Sequence, residues 1–209
     1  MNNTIMDIPG WFSQDDINAI QNIAANLPDS GVLVELGSFF GRSASKWATI
    51  LRGMNKNYKI YCVDTYCCTP EEIARIHNYL HHLDGDLSLV QDFLDGKETH
   101  LEVATRLMST IPELVMVNHD IYGEEPFLDA VDCVFEDAYH NFDKYNIAVD
   151  KWYPRLSTNG IFCGHDYNTE IPIFAELCRA VDYVAETKGL QLIRYPNSVV
   201  YSYAAQSHS

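Results

Sequence analysis

Ten residues constrain this chain more than any other stretch: Val34-Glu35-Leu36-Gly37-Ser38-Phe39-Phe40-Gly41-Arg42-Ser43. An apolar, β-branched run over 32–36 ends at a glycine just after an acid. A second glycine stands four positions on. Ala44, Trp47, Ala48 and Leu51 then recur at helical spacing over 43–51. The pattern is a strand, a tight turn and a helix start. Glycine lets the backbone approach a ligand, and the first helical turn offers unpaired N–H groups. A dinucleotide-binding turn carries three glycines, Gly-x-Gly-x-x-Gly. Gly37 and Gly41 alone, with Glu35 in front, predict a nucleoside cofactor that has no pyrophosphate to cradle.

The same alternation continues along the chain. Strands are predicted over 59–64, 114–117, 131–135 and 160–164, and helices over 97–108, 143–153 and 171–188, the last stopped by Gly189. Before the first strand, Ser13 caps a helix with Asp16 in the capping-box position, and Ile17, Ile20, Ile23, Ala24 and Leu27 form its apolar face. Strands over 190–195 and 199–203, joined by Pro196-Asn197-Ser198, read as a hairpin. Alternating strands and helices predict an α/β fold, a Rossmann-like doubly wound sheet, mostly parallel, closed by an antiparallel C-terminal hairpin at its edge. At 209 residues, 1–209 is expected to be a single domain. It would comprise an N-terminal helical segment (1–30) and a lid insertion (66–92), the latter longer than an ordinary connection. The lid is expected to cover the substrate, with Tyr66, Tyr79 and its histidines shaping specificity.

Net charge is −15. Such a surface repels phosphate backbones, which disfavours nucleic acid and favours a small-molecule acceptor; solubility alone would also account for it. The six cysteines show no zinc-type spacing, and Cys62, Cys133 and Cys163 fall in predicted strands as small hydrophobes. No charged-then-apolar leader and no run of about 18 apolar residues is seen. The expectation is a reduced, soluble, cytoplasmic protein with no membrane partner, compatible with a homo-oligomer.

Open α/β sheets bind ligands beyond the C-terminal strand ends, and here five such ends carry acids: Glu35, Asp64, Asp120, Asp137 and, beside His165, Asp166. Asp64 follows Gly41 at the distance where an acid reaches a ribose diol, a reading favoured over a turn-starting aspartate. Asp120 could accept from an adenine amino group or start a turn. Asp137 and Asp166 leave neighbouring strands, so their carboxylates can converge on a hard divalent cation such as magnesium. His165 complicates that donor set, since imidazole suits zinc, iron or nickel better. His140, three residues after Asp137, is a candidate general base. A hydrogen-bonded network of these four residues without metal is the alternative. His77 and His81 read better as one face of a lid helix than as a metal pair. Asp84-Gly85-Asp86 begins like a calcium loop, but Leu89 and Asp95 stand where glycine and glutamate belong.

These pieces resemble the class I S-adenosylmethionine-dependent methyltransferases. The carriers are Glu35-Leu36-Gly37 with Gly41-Arg42-Ser43, Val63-Asp64-Thr65, Asp137-Ala138-Tyr139-His140, and residues 159–167 through Gly164-His165-Asp166-Tyr167. Within that class the chain is most similar to the small-molecule O-methyltransferase group related to macrolide-sugar methyltransferases and cephalosporin-hydroxylase-type proteins. The resemblance implies a seven-stranded sheet and S-adenosylmethionine held by Glu35, Gly37, Ser38, Gly41, Ser43 and Asp64, with adenine near Asp120. It also implies a divalent ion, magnesium or another, at Asp137, His165 and Asp166, with His140 and Asp137 as catalytic residues. The implied reaction is metal-assisted O-methylation of a small hydroxylated metabolite or sugar. The chain departs from the group at His165, where a second acid is common, and at Asn159-Gly160, where a double glycine is frequent. Alternatives are a non-catalytic S-adenosylmethionine-binding protein, or another metal-dependent enzyme on the same scaffold. A nicotinamide oxidoreductase would need a three-glycine turn and a hydride site, and the sequence has neither.

Overall fold

The computed structural model describes residues 7–79 and 82–205. Its centre is one seven-stranded sheet in the order β3-β2-β1-β4-β5-β7-β6. The strands are β1 (Ser30–Leu36), β2 (Asn57–Asp64), β3 (Leu114–Asn118), β4 (Val131–Glu136), β5 (Leu156–Gly164), β6 (Leu190–Arg194) and β7 (Tyr201–Ala205). β1 pairs in parallel with both β2 and β4, so the chain winds outward in two directions from the β1/β4 junction. A crevice opens there, beyond the carboxyl ends. The hairpin forms as expected, with one correction. Only β7 runs antiparallel, and it lies inside the sheet, between β5 and β6. Burial explains the order. Tyr201, Ser202 and Tyr203 of β7 are buried, whereas Gln191 and Arg194 of β6 are exposed, so the more polar strand takes the edge.

Helices cover both faces. α1 (Gln14–Asn26), α2 (Arg42–Gly53) and α5 (His100–Met108) bury Ile20, Ile23, Trp47, Leu51, Val103 and Leu107 against one face. α6 (Phe142–Trp152) and α7 (Ala175–Thr187) bury Tyr145, Trp152, Val181 and Val184 against the other. Three tyrosine hydroxyls of that second core are satisfied in a relay. The Tyr201 hydroxyl donates to Tyr145 (2.8 Å), Tyr145 meets Tyr203 (2.9 Å), and Tyr203 donates to the Val181 carbonyl (3.0 Å). The Ser13–Asp16 capping box forms at the start of α1. All six cysteines are free, with Cys62, Cys133 and Cys163 buried in strands as expected.

The described residues of 66–92 hold more regular structure than their loose pattern suggested. It contains α3 (Pro70–Tyr79), a 3-10 turn (Leu87–Val90) and the start of α4 (Gln91–Leu94). The Thr69 hydroxyl accepts from Glu72 N–H, while Glu72 accepts from Thr69 N–H at 2.7 Å; that is a capping box with Pro70 at the first helical position. Ile76 is the one buried residue of α3, so no apolar stripe announced the helix. His77 lies on α3; His81 falls outside the described residues. Asp84 pairs with Gly10 in an isolated antiparallel bridge, fastening this segment to the chain ahead of α1. Asp86 accepts from Ser88 N–H and caps the 3-10 turn, a structural use for the calcium-like motif.

Candidate functional site

A cleft of about 1120 Å³ lies over the β1/β4 junction, large enough for a nucleoside cofactor and an acceptor side by side. One wall is the glycine turn. Gly37 and Gly41 adopt φ of 88° and 90°, the left-handed region that glycine tolerates. Gly37, Ser38 and Ser43 line the cleft, whereas Glu35 and Gly41 sit one layer behind it. Asp64 also lines it and braces the turn, accepting from Phe39 N–H (3.0 Å) and Tyr66 N–H (2.9 Å) through different oxygens. Asp120 also lines the cleft, and its carboxylate accepts from Tyr122 N–H at 3.0 Å, forming a turn there.

Glu35 is fully buried, and neither of its oxygens has a hydrogen-bond partner. Burial pushes its carboxyl up to about 8, with Asp137 and Asp64 adding to the rise and Ser43 and Ser38 opposing it. The folded state therefore holds a proton that the unfolded chain gives up near 4.5. This stabilising contribution is complete below about pH 4.5 and is lost as pH rises through about 8. Melting temperature is expected to fall between pH 6 and 9. The Glu35→Gln variant should flatten that fall by on the order of 2 kcal/mol; parallel curves for the two proteins would contradict it.

Opposite the turn stand the residues that close β4 and β5. Asp137 and Ala138 leave β4 against Gly37, and His165 and Asp166 leave β5. Asp166 adopts φ 64°, which turns its carboxylate back toward His140. His140 Nε2 lies 2.6 Å from Asp166 Oδ2. His165 Nδ1 lies 3.2 Å from Asp166 Oδ1 and 3.4 Å from Asp137 Oδ1, with its Nε2 3.4 Å from Asp16 Oδ2. Burial disfavours a charged His165, yet the Asp166 and Asp137 carboxylates outweigh it and hold the imidazole well above its usual range. The Asp166 carboxyl is raised by burial but pulled below the usual range by His165 and His140. Asp137, His165 and Asp166 thus converge as the sequence predicted, each offering a ligand atom within 4.8 Å of the others.

Three contributors were not singled out from sequence. Asp16 was visible only as a helix cap; its second partner is His165, far along the chain. Arg42 is buried and donates to the Phe12 carbonyl (3.0 Å) and the Ile8 carbonyl (2.7 Å), tying the glycine turn to the N-terminal segment. Glu136, also buried, accepts from Ala138 N–H at 3.2 Å and so holds the Asp137 turn in shape. A run of acids at 136–137 was a signal for the last of these; nothing local marks Arg42.

The profile of the methyltransferase-domain family matches residues 34–167. No curated protein matches the sequence. Among solved structures, the O-methyltransferase NovP superposes with a TM-score of 0.62 at 18% identity, over 92% of this chain and 80% of that one. CalS11, a TDP-rhamnose 3'-O-methyltransferase of calicheamicin biosynthesis, gives 0.55 at 18% identity, over 91% and 77%. An rRNA methylase from Streptococcus thermophilus gives 0.55 at 13% identity, over 91% and 96%. At these identities the likeness shows the fold. No helix among the described residues is long and apolar enough to cross a membrane.

Proposed function

The chain belongs to the methyltransferase-domain family, and from that premise we propose that this S-adenosylmethionine-dependent enzyme O-methylates a small hydroxylated metabolite or sugar, with His140 as general base. The observation that carries the reading is the 2.6 Å contact of His140 Nε2 with Asp166 Oδ2, on the cleft wall facing the glycine turn. An ionised carboxylate has no proton to donate, so Nε2 carries the hydrogen and Nδ1 keeps its lone pair. Nδ1 is the atom that takes the acceptor's hydroxyl proton, and Asp166 steadies the imidazolium that results.

S-adenosylmethionine supplies an electrophilic methyl group that needs little activation, so alignment is the main task. Gly37, Ser38 and Ser43 bind its amino-acid end at the start of α2. Asp64 offers a carboxylate to the ribose, and the Asp120 turn borders the adenine. Glu35 and Gly41 act from behind, shaping that wall. The 66–92 segment and Trp11 exclude water from the acceptor side. The whole chain acts as one domain, with 66–92 as its lid.

A divalent cation fits the donor set of Asp137, His165 and Asp166. The 3.2 and 3.4 Å separations match the roughly 3–3.5 Å between ligand atoms that share an ion. When bound it would lower the acceptor hydroxyl's pKa. The acidic surface favours a small molecule over RNA as acceptor.

Calorimetric titration with S-adenosylhomocysteine tests the cofactor assignment. Micromolar affinity is expected, and none at all would sink it. Transfer of labelled methyl to a panel of hydroxylated sugars and phenols, but not to RNA, is the companion result.

A further inference from the structure

We infer that the seat formed by Asp137, His165 and Asp166 selects a first-row transition ion over magnesium, and that Asp16 is the residue that makes it do so by fixing the His165 imidazole. The inference rests on the methyltransferase reading of this cleft, and it brings in Asp16, which that reading does not otherwise use.

His165 presents its two nitrogens to different neighbours. Nδ1 faces Asp137 and Asp166, while Nε2 faces Asp16 Oδ2 at 3.4 Å. A carboxylate behind a histidine is the arrangement that sets tautomer and ring orientation for a metal on the far nitrogen. Nε2 makes no hydrogen bond and has the Asp16 carboxylate as its ion-pair neighbour; with the ring proton on that side, the Nδ1 lone pair points between the two carboxylates. Asp16 cannot turn away. Its Oδ2 accepts from Ser13 N–H (2.8 Å) and Ser13 Oγ–H (2.7 Å), and its Oδ1 accepts from Ser198 Oγ–H (2.7 Å). The ring is also walled in by Phe12, 5.2 Å away between centroids, and Phe135 at 6.4 Å. The imidazole is therefore held from the far side by α1, by the turn before β7 and by two aromatic rings.

Donor chemistry then chooses the ion. Magnesium demands oxygen ligands in near-octahedral geometry and keeps several waters. An imidazole nitrogen with two carboxylates suits manganese, iron, cobalt or zinc. Asp166 serves two partners with separate atoms, Oδ1 toward His165 and Oδ2 toward His140, so a bound ion and the base would be linked through one side chain.

The test uses the full chain stripped by chelator. Binding of Mn(II) and Mg(II) is compared by calorimetry, and the Mn(II) complex is examined by pulsed EPR. The expected result is manganese at least tenfold tighter than magnesium, with nitrogen modulation from one imidazole. His165→Asp should erase the nitrogen signal and cut the manganese-to-magnesium ratio at least tenfold. Asp16→Asn, which keeps an oxygen for the Ser13 contacts, should weaken manganese by roughly 10–100-fold while S-adenosylhomocysteine affinity holds. A chain that binds S-adenosylhomocysteine but no manganese, or binds it without nitrogen modulation, overturns the inference and leaves the methyltransferase reading standing. Nitrogen-coordinated manganese without S-adenosylhomocysteine affinity supports the seat and overturns the methyltransferase reading.

Discussion

Gly37→Ala is expected to lower affinity for S-adenosylhomocysteine at least 100-fold and to depress turnover with it. Two independent penalties fall on the same methyl group. At φ 88° an alanine occupies a region that L-residues rarely adopt, a strain of roughly 1–3 kcal/mol. A Cβ would also stand 2.5 Å from both the Asp137 carbonyl oxygen and the Ala138 Cα. Those atoms are backbone, so the contact is relieved only by moving the β1 turn away from the β4 turn. Gly37 cannot retreat alone, because its N–H donates to the Val63 carbonyl at 2.8 Å. The turn proposed to meet the cofactor and the turn that carries Asp137 must therefore separate, and about 2.7 kcal/mol of lost binding is a 100-fold change. Gly53→Ala is the control. It ends α2 with nothing within 4 Å of its would-be Cβ, and alanine there should be neutral or slightly stabilising. Calorimetric titration and thermal melts of both variants decide the matter. Unchanged affinity in Gly37→Ala would remove the turn from the cofactor site.

How much of this was legible in advance depended on how local each cause is. The glycine turn, the strands of the sheet and the Ser13–Asp16 cap were readable, since each is written within a few consecutive residues. So was the convergence of Asp137, His165 and Asp166, because strand ends in such a sheet share one edge. The position of β7 was not, because it depends on which of two hairpin strands is more worth burying. α3 escaped because its only buried residue is Ile76, so its helicity rests on the Thr69–Glu72 cap and not on a stripe. Asp16 was half-read. Its capping role is local, but its contact with His165 exists only after α1 has docked on the sheet. Arg42 was unreadable for the same reason, since its partners are two carbonyls and the Asp7 carboxylate of the N-terminal segment. Asp120 was read two ways, and its carboxylate does serve its own turn while the residue also lines the cleft.

His140→Gln should reduce kcat by roughly 10²–10⁴-fold with S-adenosylhomocysteine affinity unchanged. The side chain is 30% exposed and stands edge-on to Phe174 at 4.8 Å, so its loss opens no core cavity and melting temperature should hold. Glutamine can still meet Asp166 but cannot take a proton. Binding and base catalysis are thereby separated: a drop in kcat at constant affinity is the signature of a group that acts only as the reaction proceeds. Asp166→Asn sharpens the point. Asparagine tolerates the left-handed backbone found at Asp166 (φ 64°), so the fold should survive. Its amide offers a dipole where the carboxylate offered a charge, so the imidazolium formed during the reaction loses its stabilisation. It should be slower than wild type, and adding it to His140→Gln should cost much less than the product of the two single effects, because both remove parts of one unit. A His140→Gln variant that keeps wild-type kcat would place the base elsewhere in the cleft. The alternative would then be a site that only aligns donor and acceptor, with the hydroxyl proton lost to water.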